Sequence, residues 1–329
     1  MSDGTGDYRL VARAFGGPEV IDAEPLTDAP VAAGQVRVRH RAVGVNFIDT
    51  YHRSGLYPQK LPAPLGVEAA GVVEAVGAGV AGVKIGQRVA YTALTPGAYA
   101  SRIDIDPALL VALPDGIDDE MAAAVLLKGL TVQALLKGCA RVEAGQTALV
   151  HSAAGGIGRL MVQWLAALGV RVIAHAGTAE KAAIATALGA DVALHGAFDG
   201  LAAAVREATG GKGVDVVFDG VGAASWEASL DCLRSRGLMV SFGNASGPVP
   251  PMTPLELAKR GSLFLTRPRF YDYVATRAEL DAAAADLFAM IAAGKLSVEI
   301  GLRLPLREVA EAHRALEGRR TTGSIVLLP

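Results

Sequence analysis

Gly155, Gly156 and Gly158 fall in the run AAGGIG, between an apolar stretch, TALVHS, and a run of good helix formers, LMVQWLAALG. A strand, a glycine turn and a helix start in that order suit phosphate chemistry. The glycines allow a tight bend, close approach of a pyrophosphate and close helix–strand packing, while the first helical N–H groups face the anion. A glycine-rich packing turn is the competing structural explanation. The next predicted strand, RVIAHA, ends near His175. An acid at that point would accept the ribose hydroxyls of NAD, but residues 174–178 read Ala-His-Ala-Gly-Thr, without one. Lys181 is placed to pair with a 2′-phosphate, and Gly177 lets that phosphate approach, which favours NADP over NAD. Lys181 also fits an ordinary surface lysine. No GKS or GKT follows the turn, which argues against a P-loop ATPase.

The surrounding elements must hold this turn in place. TALVHS, RVIAHA, GVDVVFDG and GLMVSFGN alternate with helical stretches such as TAEKAAIATALG, the pattern of βαβ units and a parallel sheet over about residues 125 to 265. Earlier, residues 34 to 46 alternate as a half-buried strand, and GVEAAGVVEAVGAGV and GQRVAYTALTPGAYASRIDI continue as short, glycine-punctuated runs of a small curved β domain. DDEMAAAVLLKGLTVQALLKGC reads as helix, with Gly129 as a break. The prolines of SGPVPPMTP mark a loop or boundary. RAELDAAAADLFAMIAAGK and REVAEAHRALEG read as helices before the strand GSIVLL, and this last region is placed to return to the first domain.

Composition bounds the function. The 329 residues are 51% apolar, enough for about two packed domains and too apolar for a disordered chain. The 31 basic against 33 acidic residues argue against neutralising a nucleic-acid backbone. Cys139 and Cys232 are too few for a four-thiolate zinc site, form no CxxC and read as buried free thiols. The acidic start is unlike a signal peptide, and the alanine-rich segments are too short or interrupted to span a bilayer. A reducing cytoplasm is expected, without membrane insertion.

NFIDTYHRSGLYP at residues 46–58, AAGGIG, and LDCLRSRGLMVSFGNASG resemble the quinone oxidoreductase (zeta-crystallin-like) branch of the medium-chain dehydrogenase/reductase superfamily. GPEV, PLGVEAAG, LLKGLTVQALL, GSLFLTRP and the terminal GSIVLLP extend the resemblance over nearly the whole chain. It implies an α/β protein in which a GroES-like β-rich catalytic domain, residues 1–125 plus 266–329, is interrupted by a Rossmann domain at 126–265. Where zinc-dependent relatives carry a metal-binding cysteine, this chain has Asn46, and the cysteine-rich structural zinc lobe is missing; no metal is expected. The resemblance carries the cofactor pocket to Asn46, Thr131, Gly155, Gly156, Ile157, Gly158, Gly177, Lys181, His195, Phe242, Asn244 and Arg319. Asn46 and Thr131 would lie near the nicotinamide, Phe242 and Asn244 along the cleft, and Lys181 and Arg319 at the extra phosphate of NADPH. Arg319 equally suits a helix end or a surface ion pair. His195 replaces a tyrosine of close relatives, and His52 an apolar residue.

The implied reaction is NADPH-dependent reduction of a quinone without zinc. Tyr51 and Tyr57 are substrate-contact candidates; Tyr51, Asn46 and Asp49 are candidates for orienting substrate or relaying a proton, Asp49 equally for stabilising the pocket. Reduction of an enone or enal double bond is the alternative enzyme, and a nucleotide-dependent, non-enzymatic binding protein the third reading. The family also implies a homodimer, involving the strand near GSLFLTRP.

Overall fold

A computed structural model describes residues 6 to 329. The chain divides into two compact units: residues up to Leu127 with Thr276–Ala284 and Val298–Pro329, and Lys128–Ala275 with Ala285–Ser297.

The first unit is built on a long strand, Val36–Val45, whose alternation, reset by a register shift between His40 and Ala42, brings Val36, Val38, Val43 and Val45 into one core. Its largely buried Arg37 stands directly opposite Asp104 and holds it with two bonds of 2.7 and 2.9 Å, a cross-strand pair that fixes register. The largest sheet runs Ile300–Pro305, Ser324–Leu328, Val36–Val45, Glu68–Val76, Arg88–Thr92, Leu110–Ala112, with Arg102–Ile105 also paired to Val36–Val45. The strand Ser324–Leu328, called from GSIVLL, returns to this unit, pairing Ile325 with Val45 and Leu327 with Val43.

The second unit holds a six-stranded parallel sheet in the order Val192–His195, Arg171–Ala176, Thr147–Val150, Val214–Asp219, Leu233–Ser241, Phe264–Thr266. This is the doubly wound Rossmann order, whose direction of winding reverses at Thr147–Val150. Ligands of such sheets bind beyond the carboxyl ends of the strands at that reversal, where AAGGIG lies. Leu149, Ile173, Val217, Met239 and Trp226 form its core.

Three details differ from expectation. Gly129 does not break its helix: Asp119–Gln133 runs through it and continues as a π turn, Ala134–Cys139. A Cβ there would lie 2.6 Å from Leu287 Cδ2, so the glycine admits a neighbouring helix, Arg277–Ala292. The merged element, Asp119–Cys139, is therefore long and apolar enough to cross a membrane, but 67% of its most apolar window is buried inside the fold. Residues 266–275 and 285–297, expected in the first domain, pack with the second unit, where Asp286 binds Gln133 and Lys137, and Ser297 binds Gln163.

Candidate functional site

In the second unit, the helix Gly156–Ala167 starts at an extended Gly155 that offers no side chain to its first turn, leaving those N–H groups available to a ligand. The turn is tied back by Gly155 N donating to Ser152 O at 2.8 Å and Ala153 N to His175 O at 3.1 Å. Gly158 is required by packing: a Cβ would sit 2.7 Å from Ala153 Cα. At the neighbouring strand end, Gly177 has open space where a Cβ would project. Thr178 caps the helix Ala179–Ala187, accepting from Lys181 N at 3.3 Å, which sets Lys181 in its first turn. His195 is exposed and lies opposite Ala176 in the parallel ladder, one residue before Gly177. A cavity of about 270 Å³ beside it is lined by His175, Leu194, His195, Asp199 and Gly200, among others. Gly155 through Gly158, Gly177, Lys181 and His195 thus lie at or just beyond the ends of adjacent strands, and of this set only His195 lines the cavity.

Phe242 and Asn244 follow the strand Leu233–Ser241 on the other side of the central strand. Phe242 N donates to Asp219 O at 2.8 Å, and a Cβ on Gly243 would lie 2.8 Å from Gly220 Cα, so two strand-end loops press together. Sequence reading missed what braces them. Asp219, 1% exposed, accepts from Val221 N, Gly222 N, Ser225 Oγ and Ser229 Oγ at 2.6–3.1 Å. His151 joins this web through Ser229 Oγ at 2.8 Å; burial pushes its pKa down to about 4, so it is neutral. The signal was an acid closing the strand in VFDGVG. Thr131 is half-buried on the helix Asp119–Gln133.

In the first unit, Asn46 ends the strand Val36–Val45 and caps the helix Phe47–Ser54. Its N–H donates to Asp49 Oδ2 at 2.8 Å, one limb of a capping box, and its Nδ2 donates to Glu68 Oε2 at 2.8 Å. Glu68, fully buried, also accepts from Leu127 N at 2.6 Å. A Cβ on Gly44 would lie 2.9 Å from Glu68 Cδ, so that glycine makes the room. Asp49 is fully buried and accepts from the Tyr99 hydroxyl at 2.9 Å. Tyr51 and Tyr57 are half-buried and meet edge-to-face at 5.3 Å, held by Tyr57 N donating to Tyr51 O at 3.1 Å. His52 is buried beside Tyr57, its Nδ1 has no hydrogen-bond partner among the described residues, and burial lowers its pKa to about 4. Arg319 is exposed after the helix Val309–Glu317, in a left-handed conformation with φ 54°. Glu68, Tyr99 and His313 were not singled out from sequence; they reach Asn46 and Asp49 only through pairings tens to hundreds of residues apart.

A family model described as "Alcohol dehydrogenase GroES-like domain" matches residues 32–115, and one described as "Zinc-binding dehydrogenase" matches residues 156–287. A quinone oxidoreductase of Pseudomonas aeruginosa is 49% identical over 322 residues, covering 98% of this chain and 99% of that one. A 2-haloacrylate reductase of Burkholderia sp. is 44% identical, covering 95% and 96%. The structure of Escherichia coli quinone oxidoreductase complexed with NADPH superposes with a TM-score of 0.95 at 45% identity, over 98% of this chain and 100% of that one. With near-full-length identity at this level and a GroES-like unit split by a Rossmann unit, the chain belongs to the quinone oxidoreductase family of the medium-chain dehydrogenases/reductases.

Proposed function

We propose that this oxidoreductase uses NADPH to reduce a quinone, and does so without zinc. The observation that carries the cofactor is the acid-free end of the strand Arg171–Ala176, where open space at Gly177 adjoins Lys181 and His195. An acid there would repel a 2′-phosphate; a lysine attracts it. The AAGGIG helix start would hold the pyrophosphate, and the braced loops at Phe242 and Asn244 would flank the dinucleotide. When bound, the nicotinamide supplies a hydride.

The chain's own work is placement. Asn46, fixed at both its backbone and its amide, and Thr131 would bound the reacting end. One ring face of the edge-to-face Tyr51–Tyr57 pair would offer an apolar wall to a planar ring, and the Tyr51 hydroxyl an orienting contact for its oxygen. Asn46 also supports the zinc-free reading. Its neutral amide oxygen is a far weaker zinc ligand than the thiolate, imidazole and carboxylate groups that hold zinc. Arg319 would add charge to the cofactor phosphate. A second copy would pair along the edge strand Phe264–Thr266, where Phe264 is 62% exposed. The two free cysteines, both with pKa values raised by burial, suit a reducing cytoplasm.

The 2-haloacrylate reductase relative favours one second reading, reduction of an activated carbon–carbon double bond. Anaerobic oxidation of NADPH and NADH against matched quinones and enones separates the two. NADPH-preferring turnover of quinones is expected; turnover confined to enones would replace the quinone assignment, and tight NADPH binding without turnover would leave a binding protein.

A further inference from the structure

From fully buried Asp49 a single line of hydrogen bonds crosses the first unit to its surface. Tyr99 donates its hydroxyl proton to Asp49 Oδ2 at 2.9 Å, and the same Tyr99 oxygen lies 3.0 Å from His313 Nε2. His313 Nδ1 lies 3.0 Å from Arg53 Nη1. Glu317 grips Arg53 at 2.6 and 3.1 Å, and Gly16 O takes its Nε at 3.0 Å. Tyr99 and His313 are both 0% exposed, Arg53 only 3%, whereas the Glu317 side chain is 37% exposed.

One proton arrangement satisfies every contact. Arginine only donates, so His313 Nδ1 must be the bare acceptor and its Nε2 must carry the proton. Nε2–H then donates to Tyr99, which leaves the tyrosine proton for Asp49. From Arg53 inward every donor points toward Asp49, while the remaining N–H groups of Arg53 donate outward to Glu317 and Gly16. Burial, with Arg53 adding to it, pushes His313 down to about 3, and burial with the Asp49 charge holds Tyr99 well above its ordinary value, so neither changes state near neutrality. Because arginine does not release its proton, the line ends there and does not conduct protons. What it does is fix the place of one carboxylate.

That arrangement is costly. It places charged and polar groups beside a core of Val45, Leu65, Leu306 and Val309, where apolar side chains of similar volume would stabilise at least as well. The backbone is shaped for it: Gly66 has φ 83°, and a Cβ would lie 2.6 Å from Tyr99 N and 2.8 Å from Tyr99 Cε1. Asp49 in turn holds the N–H of Asn46 and the first turn of the helix that carries Tyr51.

We propose that Tyr99 and His313 are positioning residues for the reduction, locking Asp49 so that Asn46 and Tyr51 keep one geometry. This rests on the reading that Asn46 and Tyr51 face the reacting end of the cofactor.

The same unit supplies its own control. Tyr91, also fully buried, bonds His40 Nε2 at 3.0 Å, and His40 Nδ1 bonds Ala100 O at 2.7 Å, a tyrosine–histidine pair outside the Asp49 line. Tyr99→Phe and Tyr91→Phe each delete one buried hydroxyl. Both should lower the melting temperature to a similar extent. Only Tyr99→Phe should lower kcat, about tenfold, with KM for NADPH within about twofold of wild type. His313→Gln, which keeps a donor toward Tyr99, should retain most of kcat, and His313→Leu should not. Equal kcat in Tyr99→Phe and Tyr91→Phe, or equal losses in the two His313 variants, would overturn the proposal. Wild-type turnover confined to enones would overturn only the quinone reading, with the same ratios still deciding this one; wild-type turnover of neither class would overturn both.

Discussion

Asn46 and Glu68 are joined by a 2.8 Å hydrogen bond, and the second oxygen of Glu68 is taken by the Leu127 N–H at 2.6 Å. Each oxygen of the buried carboxylate therefore takes a donor, and burial shields both bonds from solvent. Glu68→Gln can offer its carbonyl to only one of them and turns an N–H toward the other. A loss of about 1–3 kcal/mol in urea unfolding is expected, with a fall in turnover from a loosened Asn46. Wild-type stability and kcat in this variant would show that Glu68 does not hold Asn46.

Gly158→Ala would force a Cβ against Ala153 and the Ser152 carbonyl. The helix must back away from its strand, carrying the phosphate-facing N–H groups with it. We expect NADPH affinity, followed by nucleotide fluorescence, to fall about tenfold or more while the fold is retained. Unchanged affinity would mean that the glycine serves packing alone.

Lys181→Ala removes a cation from the first turn beside Gly177. A charge-assisted contact to a phosphate contributes about 1.5–3 kcal/mol, so NADPH binding should weaken by about tenfold to a hundredfold. NADH, which lacks the 2′-phosphate, should bind within about twofold of wild type. Equal weakening of both nucleotides would remove Lys181 from the phosphate site.

Acid should destabilise the protein before its carboxylates titrate. Burial holds His40, His52 and His151 down to about 4, and His313 down to about 3. Unfolded imidazoles protonate near 6.5, so between there and about pH 4 the unfolded chain binds more protons than the folded one. Stability then falls as pH drops through that window, by about 1.4 kcal/mol per pH unit for each such group. Four such groups over the roughly 1.5 pH units between 6.5 and 5 give a loss of up to about 8 kcal/mol between urea unfolding at pH 7.5 and at pH 5; equal stability would mean that these histidines are not buried neutral.

The Rossmann unit was legible because its signals are local. Strand, glycine turn and helix follow one another within AAGGIG and its flanks, and the absence of an acid before Gly177 is visible in five residues. Gly129 was misread because its purpose, room for Leu287, lies in a helix more than 150 residues away. Asn46 and Asp49 could be named from the segment that carries them, but their fixing partners could not. Glu68 sits on the adjoining strand, Tyr99 in a loop and His313 on a late helix, and no periodicity in any of those segments points at another. Asp219 lies between these cases, since the strand it ends was read correctly and its four donors only appear once the loop is folded.

The strand Ser324–Leu328 lies against Val36–Val45, yet follows the entire second unit in the chain. During vectorial synthesis the parallel sheet of Lys128–Ala275 can therefore assemble while the first unit still shows one unpaired strand edge. That edge exposes the backbone of Val43, Gly44 and Val45, next to Asn46, until Ser324–Leu328 leaves the ribosome. His313 and Glu317 arrive equally late. The nascent chain can thus complete its second unit first, and the setting of Asn46 and Asp49 only afterwards.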